Sequence, residues 1–288
     1  ILPLAVRCEK EGSNVNFYCE AKGVGNGLVR TVSAPVLGPD TILVFDDPVY
    51  GRRAEDYRNQ GYAVIGASLF GSNLELIEDY NSSICKLLDN YTMPTNSYIE
   101  AWFNGDDWVI GTVSVCVYDS RFLAGDLGIE TGYESGTTCF LKRMRPEMFK
   151  KTLGKLTSVL RRVRYTGPIR YNGKLSTGFN HTNANTSELI PIAYGRMLAD
   201  TARGLLKRVV PSYDYATVLR VSEPPYPYNG TTSTFVTGIG SSVATSREIV
   251  LQKAERLAGN EKQYRVDAGA RANNIIPRLL KEDIGGKR

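Results

Sequence analysis

Apolar residues recur along the chain with two different spacings, which predict where strands and helices lie. Residues 41–47 form a continuous apolar run that ends in two acids, as is typical of a buried parallel strand. A turn and helix over residues 48–60 and a short strand over residues 63–66 follow. This order of strand, helix and strand indicates an α/β unit near the start of the chain.

Three longer stretches carry apolar residues at helical spacing. They cover residues 72–88, 146–164 and 268–281. Ser72 is a favourable N-cap, and Pro146 is a favourable first residue of a helix. Alternating apolar residues predict further strands over residues 109–117, 218–221 and 234–238. We therefore expect an α/β (α+β) fold in which helices and strands are mixed.

A glycine-rich stretch between two of these elements is the clearest candidate for a ligand site. Residues 125–137 contain four glycines and two threonines. Glycine allows backbone amides to approach a ligand closely, and a loop of inward-pointing amides and hydroxyls binds anions. A long hairpin or crossover loop would explain the same residues without any ligand.

Composition and charge narrow the class of protein. Of the 288 residues, 42% are hydrophobic and 23% are charged, which is ordinary for a globular protein. The net charge of +5 suits a phosphate-bearing small substrate. The longest basic cluster, residues 161–164, ends a predicted helix, where cations complement the helix dipole. We therefore expect no nucleic-acid partner.

The cysteines and the single histidine exclude several kinds of site. Five cysteines without a C-x-x-C spacing argue against a zinc site or a disulfide framework and fit a reducing cytoplasm. His181 is the one histidine, and by itself it cannot build a His-based metal site or a conventional Ser–His triad. No apolar run reaches the length of a transmembrane helix and no signal peptide is visible. We expect a cytoplasmic protein without a membrane partner.

The glycine-rich stretch resembles a loop of the glycinamide ribonucleotide synthetase family, the phosphoribosylamine–glycine ligases of the ATP-grasp superfamily. That loop reads D-x-G-P-x-T-G-G-M-G. The residues that match are Asp126, Gly128, Thr131, Gly132 and Gly136. A second block, residues 263–272, is similar to the family's Y-R-x-D-I-G-x-R-A. The resemblance implies that the five matching residues bind substrate.

The resemblance also implies where ATP and Mg²⁺ bind. Residues 99–107 look like the family's V-E-E-F-L-x-G-E-E, which implies that Glu100 and Asp107 contact ATP. Residues 178–182 look like the start of its E-F-N-x-R-F-G-D-P-E, and Glu188 corresponds to the later glutamate with a two-residue shift, which implies Asn180 and Glu188 as Mg²⁺ ligands. Gly178 stands where the family has a metal-binding glutamate.

One segment of the family pattern has no counterpart. The family has a small lysine-bearing lobe that folds over ATP, immediately before the strand that residues 99–107 resemble. Here Tyr98 is followed directly by Ile99. We expect that the protein has this lobe and that only the sequence lacks it. Tyr98 and Ile99 would then lie too far apart for one peptide bond, whose Cα atoms are about 3.8 Å apart. A genuine deletion is the alternative.

The resemblance implies an ATP-grasp architecture with three parts. These are an N-terminal parallel α/β subdomain (1–71), an ATP-grasp core whose lid lobe is missing near 98–99 (72–210), and a C-terminal domain (211–288). The implied function is an ATP-dependent carbon–nitrogen ligase of purine biosynthesis, which phosphorylates glycine and joins it to a phosphorylated amine. A degenerate ATP-grasp binding or scaffold protein and a ligase with another amine acceptor are the alternatives.

Overall fold

The computed structural model describes residues 2–69, 88, 91–141, 147–179, 190–223, 233–258 and 262–285. The chain begins with helix α1 (Leu2–Lys10) and the parallel strands β1 (Phe17–Tyr18) and β2 (Thr31–Val32). Strands β3 (Ile42–Phe45) and β4 (Ala63–Gly66) form a second parallel pair. A 3₁₀ turn (Pro48–Tyr50) and helix α2 (Gly51–Asn59) connect them. The predicted α/β unit is confirmed, although β3 is half-buried where a buried strand was expected.

A large antiparallel sheet dominates the rest of the molecule. Its strands are β5 (Ser97–Asn104), β6 (Ser114–Arg121), β7 (Glu130–Phe140), β8 (Thr166–Tyr171), β9 (Leu175–Thr177), β10 (Tyr215–Ser222), β11 (Ser233–Gly240) and β12 (Gln263–Tyr264). They are ordered β11-β10-β7-β6-β5-β8-β9, and β12 pairs with β10. Every described pairing within this sheet is antiparallel.

Within the described ranges, five further helices pack around the sheet. They are α3 (Glu147–Lys151), α4 (Thr157–Arg162), α5 (Tyr194–Ala202), α6 (Val243–Ala258) and α7 (Ala272–Gly285). The helix predicted over 146–164 is interrupted by a 3₁₀ turn, Leu153–Leu156. In a 3₁₀ turn, residues three apart lie on the same side, so Leu153 and Leu156 both enter the core. The helix predicted over 72–88 falls outside the described residues except for Leu88, which is helical and buried.

The two faces of the large sheet are covered differently because side chains alternate along each strand. On one face, Ile99, Ala101 and Phe103 of β5 join the main hydrophobic core, which also holds residues of α3, α4 and α7. On the other face, Trp102 joins a second core with residues of α1 and α5. The ring centroid of Trp102 lies 6.3 Å from that of Tyr194. Away from Trp102 this second face carries an open pocket.

Three sequence-based expectations are corrected near this face. A strand over 109–117 was expected, but strand β6 begins only at Ser114. The Val109 amide instead donates to the Trp102 carbonyl at 2.8 Å. Strand β7 begins at Glu130, so most of the glycine-rich stretch is strand where a loop was expected. Tyr98 and Ile99 are consecutive residues of β5, paired with Cys116 and Val115 of β6. The expected gap between them is therefore wrong.

Candidate functional site

An open pocket of about 480 Å³ lies on the second face of the large sheet. One wall comes from the β8–β9 hairpin, the other comes from β10 and β11, and β5, β6 and β7 contribute between them. The residues that line it are Tyr98, Tyr118, Thr131, Gly132, Tyr133, Arg170, Asn172, Lys174, Ser176, Arg220, Ser233 and Phe235.

The pocket combines positive charge with aromatic rings. Arg170, Lys174 and Arg220 supply three cations, and the lining formed by the described residues contains no acid. Arg170 lies over the Tyr98 ring, 5.9 Å from its centroid, and donates a hydrogen bond of 3.1 Å from Nη2 to Ser176 Oγ. Such a lining suits an anion attached to a planar ring system.

The aromatic side chains form two pairs. The Tyr98 and Tyr118 ring centroids are 6.0 Å apart, and those of Tyr133 and Phe235 are 6.1 Å apart. Burial raises the pKa of Tyr98 well above its usual range, so this phenol stays protonated at neutral pH. The rings therefore present neutral, apolar faces to a ligand.

One wall contains an ion pair that the sequence analysis did not single out. Glu134 of β7 is almost fully buried, and its Oε1 accepts a hydrogen bond from Arg220 Nη1 at 3.2 Å. The same oxygen lies 2.5 Å from the Thr131 hydroxyl. Burial raises the pKa of Glu134, and this outweighs the opposing effects of Thr131 and Arg220. An arginine inside the apolar run 218–221 is the signal that could have revealed the pair.

The five residues that match the glycine loop do not all reach the pocket. Thr131 and Gly132 line it, whereas Asp126, Gly128 and Gly136 are not among its lining residues. Gly132 has a φ of +88°, and a Cβ added there would meet no atom within 4 Å. A Cβ on Gly136 would lie 2.6 Å from the Tyr133 hydroxyl oxygen, so this glycine makes room for a lining residue.

Asp126 belongs to an ionic cluster that joins the two family-like blocks. Arg265 donates hydrogen bonds of 2.8 Å to Asp126 Oδ1 and 2.7 Å to Asp267 Oδ2. Arg271 also bonds to Asp126. Asp267 accepts a hydrogen bond from the Gly125 amide at 2.8 Å. The cluster therefore fastens the 3₁₀ turn at 124–126 to the segment 265–271, immediately before β7 begins.

The two residues proposed to contact ATP occupy different places. Glu100 is buried in β5, and its register partner in β8 is the lining residue Arg170. Asp107 lies in the turn after β5, where its Oδ1 accepts the Trp108 amide at 2.8 Å. Neither is among the lining residues, and only Glu100 is paired with one.

The proposed Mg²⁺ ligands, Asn180 and Glu188, lie outside the described residues. Within the described ranges, no group of three or more His, Cys, Asp or Glu side chains could hold a metal ion. Gly178, which precedes Asn180 and Glu188 in the sequence, has a φ of +93°. A Cβ on Gly178 would overlap the carbonyl oxygen of Asp46, so this backbone does not accept the family's glutamate at that position.

Comparisons with known proteins bear on the fold. No family model and no curated protein matches the chain. Among solved structures, a phosphoribosylamine–glycine ligase from Thermotoga maritima is similar over 93% of this chain and 97% of its own, with 15% identity and a TM-score of 0.52. The two chains share a fold. A urea carboxylase from Kluyveromyces lactis is less similar, with 10% identity over 77% of this chain and 23% of its own and a TM-score of 0.45.

At this level of identity the likeness shows a shared fold alone. The mixed helix and sheet content expected from the sequence is confirmed, whereas the large antiparallel sheet was not predicted from it. None of the helices in the described ranges has both the length and the apolar character needed to cross a bilayer.

Proposed function

We propose that the protein is an ATP-dependent carbon–nitrogen ligase. The observation that carries this proposal is the pocket, where three cations and four aromatic rings lie on the open face of the large sheet. The Arg220 side chain is 20% exposed and lines this pocket, so its guanidinium can donate to a phosphate oxygen. The fold shared with a phosphoribosylamine–glycine ligase supports the reaction class.

The chain's own residues would act by position and charge. Arg170 and Lys174 on one wall, with Arg220 on the other, would neutralise a polyphosphate held between them. When bound, ATP would supply the phosphoryl group that activates a carboxylate for attack by an amine. Catalysis would then rest on orientation and charge neutralisation, without a protein nucleophile.

Substrates and metal follow from the family resemblance. We propose glycine as the carboxylate and phosphoribosylamine as the amine, which would place the reaction in purine biosynthesis in the cytoplasm. Mg²⁺ would be held by Asn180 and Glu188, with hard oxygen ligands of the kind it prefers. Thr131 and Gly132 are the matching residues that line the pocket, so they are the best candidates to contact substrate.

A second candidate is a nucleotide-binding protein of the same fold without ligase activity. The continuity of β5 through Tyr98 and Ile99 favours it, because the lysine-bearing lobe has no place between these residues. Gly178 favours it too, because the glutamate side chain that the family uses for metal is absent.

The two candidates differ in turnover. A ligase should release phosphate from ATP only when an amino acid and an amine acceptor are both present. Glycine with phosphoribosylamine is the first pair to test, followed by other amino acids and amines. Phosphate release with a different pair would change the proposed substrates and leave the ligase assignment in place. ATP binding without turnover for any pair would exclude the ligase and support the binding protein.

A further inference from the structure

We propose that Arg220 is a phosphate-binding residue of the pocket and that the buried Glu134 fixes its orientation and offsets its charge. The inference deepens the proposed function, because it uses the same pocket and names the group that one wall recognises. It concerns binding alone and does not require catalysis.

Arg220 is placed to reach a ligand. It lies in the middle of β10, paired in register with the lining residue Phe235 of β11. Its side chain is 20% exposed, and it lines the pocket.

Glu134 holds one side of the Arg220 guanidinium. Its carboxylate is 2% exposed, and Oε1 accepts Nη1 of Arg220 at 3.2 Å. The Thr131 hydroxyl lies 2.5 Å from the same oxygen and restrains the carboxylate. The guanidinium has five N–H donors, and Glu134 accepts from only one of its nitrogens, Nη1, within the described part of the chain. The ion pair thus orients the arginine while leaving a donor for a ligand.

The surrounding charges favour a phosphate. Arg170 and Lys174 lie on the opposite wall, and no acid is found in the lining formed by the described residues. The planar guanidinium fork matches a phosphate group, which accepts two parallel hydrogen bonds. Glu134 is almost fully buried and not part of the lining, so it tempers the attraction without occupying the site.

The role of Arg220 can be tested on the full chain by titration calorimetry with pyrophosphate, ATP and adenosine. Arg220→Met should weaken pyrophosphate and ATP binding at least about tenfold, the loss expected for a charge-assisted hydrogen bond. Adenosine binding should be unchanged. Arg196→Met is the matched control, because it removes the same charge from an exposed position on α5. It should bind all three ligands like the wild type.

Glu134→Gln tests the role of the carboxylate. Glutamine keeps an oxygen that can accept from Arg220 and Thr131, but it removes the negative charge. Pyrophosphate should therefore bind a few-fold more tightly than to the wild type. A carboxylate that is only structural would instead give a lower melting temperature with unchanged or weaker binding, and that result would overturn the role assigned to Glu134.

The double variant Arg220→Met/Glu134→Gln controls for a folding defect in Arg220→Met, since it leaves no unpaired carboxylate buried. It should be folded and should bind pyrophosphate as weakly as Arg220→Met does. Wild-type pyrophosphate affinity in both Arg220 variants would overturn the proposal, and so would a parallel loss of adenosine binding. Because no turnover is measured, the inference can fail while the ligase assignment stands, and the reverse also holds.

Discussion

Arg265 shows how a single side chain can join parts of the chain that are far apart in sequence. Its side chain is 1% exposed, and it contacts Asp119, Asp126 and Asp267. It also donates to the Arg121 carbonyl at 2.8 Å. Removing one member of a buried ion cluster leaves charges without compensation, so such clusters are hard to change one residue at a time. The cluster holds the end of β6 and the turn before β7 together.

Two carboxylates of this cluster have pKa values shifted in opposite directions. Hydrogen bonds from Arg265 and Arg271 lower the pKa of Asp126 below its usual range. Burial raises the pKa of Asp119, which outweighs the Ser135 hydrogen bond and the two arginines. The half-exposed Asp126 therefore keeps its charge to a lower pH than Asp119 does.

The lowered pKa of Asp126 predicts a pH-dependent contribution to stability. A carboxylate whose pKa is lower in the folded state stabilises the fold above its unfolded pKa of about 4, and this stabilisation is lost as the pH falls through the folded pKa. Asp126→Asn should lower the melting temperature at pH 6, and the difference from wild type should shrink between pH 4 and pH 2. Asp40→Asn, at a side chain 97% exposed, is the control and should show no difference.

A melting-temperature difference for Asp126→Asn that stays constant across this pH range would contradict the prediction. It would mean that the variant acts through packing and not through the charge of the carboxylate.

At the scale of elements, three glycines allow the N-terminal strand pair to pack closely against the large sheet. Gly66 of β4, Gly167 of β8 and Gly178 after β9 all have positive φ, at +79°, +125° and +93°. A Cβ on Gly167 would lie 2.7 Å from the Gly66 amide nitrogen. The Phe179 amide also donates to the Asp46 carbonyl at 3.0 Å. Side chains at these positions would push the two units apart.

Gly178→Ala should therefore destabilise the protein through two effects. Positive φ costs an L-residue about 1–2 kcal/mol, and the new Cβ would also overlap the Asp46 carbonyl. Gly173→Ala is the matched control, because Gly173 has a φ of +101° but a Cβ there meets no atom within 4 Å. Urea denaturation should show a loss of about 1–2 kcal/mol for Gly173→Ala and at least about 1 kcal/mol more for Gly178→Ala. Equal losses would show that the junction relaxes around the methyl group.

At the scale of the whole molecule, the pocket lies on an open sheet face and β5 leaves no place for the family's lobe between Tyr98 and Ile99. Water weakens electrostatic contacts with a ligand and hydrolyses reactive intermediates. A ligase built this way should protect an acyl phosphate poorly.

This predicts incomplete coupling in the proposed reaction. With glycine and an amine acceptor present, the phosphate released should exceed the amide formed, because part of the acyl phosphate reacts with water. The measurement is the ratio of the two products in one reaction mixture, at several concentrations of the amine. The excess should fall as the amine concentration rises, since the amine competes with water. A ratio of about one at every concentration would show that other parts of the chain exclude water.

The sequence by itself determined the local structure and the order of the elements. Apolar periodicity located β4, β10, β11 and α7, and the apolar run at 41–47 located β3. Two short blocks led to a family whose fold the molecule shares. These features follow from local backbone preferences and spacing, which neighbouring residues decide.

The tertiary structure decided how distant residues combine. Glu134 and Arg220 lie 86 positions apart, and antiparallel pairing of β7 with β10 makes them neighbours. Asp126 matches a substrate-binding pattern, yet its oxygens bond to arginines that lie 139 and 145 positions further on. The later part of the glycine-rich stretch became a strand because its own residues pair with β6 and β10, which outweighs the loop preference of glycine. Such pairings depend on sheet order, and local spacing does not encode that order.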